Sequence, residues 1–196
     1  MSGGPVTKDT STILLGLTQV RVGASAANIA NTAAVLSASD SIGSMSATKF
    51  VGNTDYWKHE SGFPLAEDMT LVLRESAALE GQFEEITPYN MALALGKDPT
   101  GGGYAAAHSG EVGLGARSAP AYIRMEALST FPDDTYSMLF IFPRCQVTSS
   151  PELDMQKEDN AKPPITFESK RADSEVSGGN AAWDGKSLGV IRFLGG

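Results

Sequence analysis

The strongest strand signal in the chain is the segment Met69–Leu79, in which apolar and polar side chains alternate. One side carries Met69, Leu71, Leu73, Ala77 and Leu79, and the other carries Thr70, Arg74, Ser76 and Glu80. A repeat of two residues is typical of a strand with one buried and one exposed face. The segment therefore requires a sheet and predicts that its apolar side lies in the protein core.

Other strand-like segments occur before and after this one. They are Thr12–Val22, Ser44–Val51, Pro120–Leu128, Thr135–Val147, Pro164–Ala172 and Ser187–Leu194. Segment Pro120–Leu128 alternates Ile123, Met125 and Ala127 with Tyr122, Arg124 and Glu126. It is expected to form an antiparallel hairpin with Thr135–Val147. About six or seven strands without alternating helices favour a mainly β fold of packed antiparallel sheets, a sandwich or a barrel.

Residues 87–96 carry the one strong helix signal. Thr87 is placed to cap the helix, Pro88 occupies the first helical position and Gly96 follows the last apolar residue. Met91 and Leu95 are four residues apart and share one face. Because so short a helix persists only when it is packed, we expect it to flank the sheet.

The length of 196 residues fits a single domain. Several segments are longer than ordinary connections: an arm at 24–43 and loops at 52–66, 97–110 and 148–163. Long loops in a compact domain usually serve a function or contact a partner. The sequence therefore predicts one domain, residues 1–196, whose long segments meet other chains.

Composition argues against several classes of protein. A net charge of −8 argues against a nucleic-acid reader, which would show clustered Lys and Arg. The longest apolar run, Met138–Phe142, is too short to cross a bilayer, and the N-terminus lacks the pattern of a signal peptide. Cys145 is the single cysteine, and the two histidines, His59 and His108, are far apart in sequence. With no catalytic or metal-binding motif recognised, we expect no enzyme activity, no cofactor and no metal.

The segment Gly52–Pro64 combines turn-forming residues with large aromatic ones. Trp and Tyr are enriched where protein surfaces dock, so this segment supplies candidate contacts between subunits. The candidates are Asn53, Tyr56, Trp57, Lys58, His59 and Phe63. Two alternatives stay open: the aromatic side chains fold back onto the core, or Tyr56 and Trp57 bind carbohydrate in a monomeric β-sandwich module.

Three parts of the chain resemble one family. The run Met69–Gly96, a long strand and then a short helix ending in Leu-Gly, is similar to the corresponding segment of bacteriophage tail tube proteins. Thr12–Gly23 resembles the first strand of that family, and Pro164–Asp173 with Ser187–Leu194 resembles its last sheet strands. Type VI secretion tube proteins share the fold of this family.

The resemblance implies a fold of two packed sheets with a flanking helix, assembled as hexameric rings. The rings would stack into a hollow tube, with the inner sheets of the subunits joined in one continuous β-barrel. Such a tube lies in the virion tail after assembly in the host cytoplasm, and it conducts DNA into the host. Its implied partners are further copies of the chain and sheath, tape-measure, baseplate and terminator proteins.

Acidic side chains on the lumen of such a tube would repel DNA and let it slide without sticking. Glu75, Glu80 and Glu126 are the candidates, since they lie on the polar sides of strand-like segments. The lack of an appended C-terminal domain favours a contractile tail. The alternatives of the same architecture are a type VI-like tube subunit and a tail terminator ring.

Overall fold

The computed structural model describes residues 18–63, 66–100, 110–115, 119–131, 136–153 and 162–195. Its strands are β1 (Thr18–Ala24), β2 (Ser41–Ser61), β3 (Ala66–Phe83), β4 (Ile123–Thr130), β5 (Tyr136–Val147), β6 (Pro164–Ser169) and β7 (Val190–Gly195). The helices are α1 (Ser25–Asn28) and α2 (Pro88–Ala94), with single 3-10 turns at Ala38–Asp40 and Ala181–Trp183. No helix among these residues is both long and apolar enough to cross a membrane.

All seven strands belong to one antiparallel sheet with the order β4-β1-β2-β3-β6-β5-β7. An additional pairing of β4 with β5 closes six of the described strands into a barrel, and β7 pairs with β5 outside this ring. On the edge of β5 that faces away from β4, residues 145–147 pair with β6 and residues 136–141 pair with β7. The mainly β, antiparallel fold expected from the sequence is thus confirmed, in its barrel form.

The barrel encloses the main hydrophobic core. Alternate residues of the strands point into it, among them Val20, Met45, Leu79, Met125 and Phe140. A smaller cluster, formed by Leu139, Ile141, Ala172 and Trp183, packs on the outside of β5. Strand β5 is therefore buried on both faces, which explains why its sequence is more continuously apolar than that of the other strands.

The helix signal is confirmed in detail. Helix α2 begins after Thr87, whose side-chain oxygen accepts a hydrogen bond from the Asn90 N–H at 3.1 Å. Gly96 follows the helix with a φ of +70°, a left-handed conformation that favours glycine. The buried Leu93 packs against the barrel core, so the short helix is stabilised by tertiary contacts.

Strand β2 is far longer than expected. Residues 52–61 belong to β2 and residue 66 to β3, where a loop over 52–66 was expected from the sequence. The segment 24–43 holds α1 and a 3-10 turn and is otherwise irregular. Residues 12–17 of the expected first strand, residues 101–109 of the expected loop 97–110 and residues 154–161 of the expected loop 148–163 lie outside the described residues.

Candidate assembly surface

The outer halves of β2 and β3 form a two-stranded arm, defined here as residues 52–61 and 66–75. Antiparallel pairing holds the arm together, with Trp57 opposite Leu71 and Lys58 opposite Thr70. At about 3.3 Å per residue, each strand of the arm is on the order of 30 Å long. All residues of the arm are exposed except the half-buried Thr54, so the arm projects away from the barrel.

One edge of the arm has no partner strand among the described residues. Strand β6 pairs with β3 only from Ala78 to Gln82, which leaves the backbone of 66–77 unpaired on that side. The other edge of the arm is formed by β2, and the described part of β1 pairs with β2 only up to Met45. Unpaired strand edges are templates for pairing with another chain, and native proteins normally cover or interrupt them.

One face of the arm is apolar. Trp57 and Leu71 lie opposite each other, and the neighbouring pair is His59 and Met69. The ring of Trp57 stacks on His59, with the ring centroids 5.5 Å apart. Trp57, Met69 and Leu71 are between 42% and 49% exposed. A contiguous exposed apolar patch on a protein surface often marks a site of interaction with another molecule.

The position of these side chains decides between two sequence interpretations. The aromatic residues of 52–63 do not fold back onto the core, because Tyr56 is 56% exposed and Phe63, in the turn at the tip, is fully exposed. The expectation that Met69, Leu71 and Leu73 enter a core is also wrong for the single chain. Only Leu79, at the barrel end of the same alternation, is buried there.

The second face of the arm is mixed: Tyr56 lies opposite Val72, and polar side chains follow toward the tip. Lys58 Nζ lies 2.8 Å from a carboxylate oxygen of Glu67, and the hydroxyl of Thr70 donates to the other oxygen at 2.6 Å. These hydrogen bonds hold the pKa of Glu67 below its usual value, the bond from Lys58 contributing most. Asn53, which donates to Asp55 at 3.3 Å, lies nearer the barrel on the same side of β2 as Trp57. The candidate contact residues are thus brought together on one arm, but they are divided between its faces.

A cleft with a volume of about 320 Å³ lies where the arm leaves the barrel. Arg74 and Glu75 of β3 line one side, and Lys170 and Arg171 line the other. Glu168, also in the cleft, accepts a hydrogen bond from Lys170 at 2.6 Å, and this bond is the largest cause of its lowered pKa. Glu75 shares the cleft with these cations, of which Lys170 is paired with Glu168, and Arg171 is paired with Asp173 and Glu175.

The other two candidate lumen acids differ from each other. Glu80 is partly exposed and lies 3.9 Å from Lys49. Glu126 is only 1% exposed and forms an ion pair with the fully buried Arg124. The prediction that Glu126 faces a lumen is wrong, because the segment that follows α1 covers this face of β4 and its backbone binds the carboxylate.

The single cysteine and His59 differ in their surroundings. Cys145 is completely buried, and burial raises the pKa of its thiol, so the nucleophilic thiolate is disfavoured. Within the described residues, no three His, Cys, Asp or Glu side chains are placed to hold a metal ion. His59 stacks on Trp57 on the exposed arm, and His108 lies outside the described residues.

Sequence reasoning missed that the arm is a hairpin. The signal was present: Ser61 and Gly62 are turn formers between two strand-like stretches, and Gly62 has a φ of +85°. It was obscured because charged and aromatic residues are mixed on both sides of the turn. The fold and this surface together define an antiparallel β-barrel protein with a projecting two-stranded arm.

No protein-family model and no curated protein matches this chain. Among solved structures, it is similar to the tube-terminating cap of the anti-feeding prophage, determined by cryo-electron microscopy. The alignment covers 91% of this chain and 88% of that chain, with 9% identity and a TM-score of 0.44. At this level of identity and TM-score, the likeness carries no argument about function.

Proposed function

We propose that this protein is a structural subunit of a phage tail tube, which stacks as hexameric rings into a hollow conduit for DNA. Its role is mechanical and not enzymatic, and its place is the virion tail after assembly in the host cytoplasm. The proposal is supported by the sequence resemblance of Met69–Gly96, Thr12–Gly23 and the last strands to tail tube proteins. Antiparallel strands and a short flanking helix are both expected from this resemblance, and the chain has both.

The observation that carries the proposal is the bare arm. Trp57, Met69 and Leu71 form an apolar face that is 42–49% exposed, and among the described residues no strand pairs with the edge of β3 beside them. Contact with another copy would bury this face and satisfy that edge at once. Trp and Tyr are also the residues on which docking energy usually concentrates.

The charge of the chain is compatible with a conduit. Six copies at −8 would carry −48 per ring. A wall of this sign repels the phosphates of DNA, so the polymer slides and does not bind. Glu80, which is partly exposed, and Glu75, which is exposed, remain the candidate lumen residues.

The arm also argues against the carbohydrate module. Tyr56 and Trp57 are consecutive residues of one strand and point to opposite faces of the arm. They therefore do not form one flat platform for a sugar ring. A type VI-like tube and a terminator ring share the proposed architecture, and the products of assembly distinguish them: a terminator stops at single rings, whereas a tube subunit elongates.

The proposal is tested by placing a charge on the apolar face of the arm. Leu71→Asp should prevent assembly, as measured by size-exclusion chromatography with light scattering over a concentration series. The matched control is Leu114→Asp, because Leu114 is 82% exposed and is not part of the arm. Assembly that is equal in both variants and the unmodified protein would contradict a role for the arm.

A further inference from the structure

Residues 28–36, called the strap here, cross the outer side of β4 and are held mainly by side chains. In the part of the chain that the structure describes, residues 30–36 make one backbone-to-backbone hydrogen bond, from the Asn31 N–H to the Asn28 carbonyl. The strap is thus unlike the strands of the barrel, which pair through their backbones. Its attachment depends on a few side chains that can be named.

Arg124 provides the largest number of these attachments. Its guanidinium donates to the backbone carbonyls of Asn28 at 3.0 Å, Asn31 at 2.8 Å and Ala33 at 2.7 Å. Its Nε also donates to a carboxylate oxygen of Glu126 at 2.8 Å. One side chain thereby fixes three peptide groups of the strap and its own ionic partner.

Glu126 binds the following part of the strap. Its carboxylate accepts hydrogen bonds from the N–H groups of Val35 at 3.0 Å and Leu36 at 3.2 Å. The two charged side chains therefore bind opposite kinds of group: Arg124 takes carbonyls and Glu126 takes N–H groups. The Arg124–Glu126 pair is called the latch here. The backbone of the strap supplies hydrogen-bond partners to both of its side chains.

Two further contacts hold the ends of the strap. The indole Nε1 of Trp183 donates to the Ile29 carbonyl at 2.6 Å. At the other end, Arg21 donates to the Leu36 carbonyl at 3.0 Å, and the Leu36 side chain packs over Gly23. A Cβ at position 23 would lie 2.5 Å from a methyl carbon of Leu36, so glycine at this position leaves room for the Leu36 side chain.

We propose that the strap opens and closes as a unit on a barrel that stays folded, with the Arg124–Glu126 pair as its latch. The latch lies on the outer face of β4, since Ile123, Met125 and Ala127 of the same strand are packed in the barrel core. Opening returns both charges to water and recovers their desolvation penalty. That penalty offsets much of the attraction within a buried ion pair.

The barrel strands have no comparable way to open. β4 is paired along its length with β1 on one side and β5 on the other, so its exposure requires many backbone hydrogen bonds to break together. Regions with few backbone pairings exchange more readily than such strands. Opening would replace the surface of the strap, which includes the exposed Val35, with an exposed ion pair, a local change of surface that leaves the fold intact.

Hydrogen exchange tests the proposal without reference to assembly. In the unmodified protein, the amides of Val35 and Leu36 should exchange faster than those of β5, and in Glu126→Gln their exchange should rise about tenfold or more. Exchange in β5 should stay unchanged. Equal exchange of strap and β5 in the unmodified protein, or an equal rise of both in the variant, would overturn the proposal.

A second variant covers the case in which Glu126→Gln fails to fold. Gly23→Ala displaces Leu36 without altering either charge of the latch, and it should also raise strap exchange while β5 stays protected. Glu80→Gln makes the same chemical change as Glu126→Gln at a partly exposed position and serves as the matched control. A Gly23→Ala protein with unchanged strap exchange would also contradict the proposal.

Discussion

Arg124 Nε and Glu126 Oε1 are 2.8 Å apart, and the two side chains are 0% and 1% exposed. They are neighbours on one face of β4, at positions i and i+2, where the strand meets the strap. A buried ion pair without further hydrogen bonds is unfavourable, but here backbone groups of 28–36 supply them. The pair therefore fastens residues 28–36 to the outer side of β4.

The first prediction concerns the stability of this pair. Breaking a buried ion pair typically costs about 3–5 kcal/mol, because one charge stays buried without a partner. Glu126→Gln should cost less, since the strap can open and hydrate Arg124. Urea unfolding followed by circular dichroism measures the difference, and a loss within that full range would show that Arg124 stays enclosed.

The second prediction uses the two tryptophans as separate reporters. Trp183 is fully buried, whereas Trp57 on the arm is 42% exposed. In dilute protein, iodide should quench the fluorescence of Trp57 and leave that of Trp183 nearly unchanged, so Trp57→Phe should remove most of the quenching. As the protein assembles, quenching in the unmodified chain should fall. Persistent quenching in assembled material would show that the arm stays exposed.

The third prediction is an alkaline titration of Tyr89. Burial, with the nearby charges of Asp40 and Asp98 as smaller causes, raises the pKa of Tyr89 to about 12. Because the folded pKa lies above the ordinary value near 10, this group contributes stability below pH 10 that is lost as the pH rises toward 12. Ultraviolet absorbance should show a late tyrosinate step that Tyr89→Phe lacks, and a step near pH 10 for this residue would contradict its burial.

The fourth prediction concerns the cap of α2. Thr87 accepts from the Asn90 N–H, so Thr87→Ala should lower the free energy of unfolding by about 1 kcal/mol, and Thr87→Ser should retain most of it. Thermal or denaturant unfolding of the two variants provides the comparison. Equal stability of the alanine and serine variants would mean that the hydroxyl does not cap the helix.

The sequence was most informative where local chemistry decides the structure. Thr87, Pro88 and Gly96 defined the ends of α2, because capping and left-handed backbone are local properties. The alternation of Ile123, Met125 and Ala127 likewise identified the side of β4 that enters the barrel core. These features need no knowledge of distant parts of the chain.

Features that depend on distant segments were not predictable. Glu126 has the pattern of an exposed strand residue, and its burial arises from a strap that is some ninety positions away in sequence. The apolar side chains of Met69 and Leu71 have the pattern of a core, but the structure leaves them on a bare arm. Alternation reports which residues share a face, and it does not report what covers that face.

The central claim, that this chain assembles into tubes, is tested most directly by negative-stain electron microscopy of the purified protein across a concentration series. We predict six-fold rings with a central channel and, at higher concentration, hollow tubes. Single rings that never elongate would favour a terminator ring. A monodisperse monomer at every concentration would contradict self-assembly through the arm.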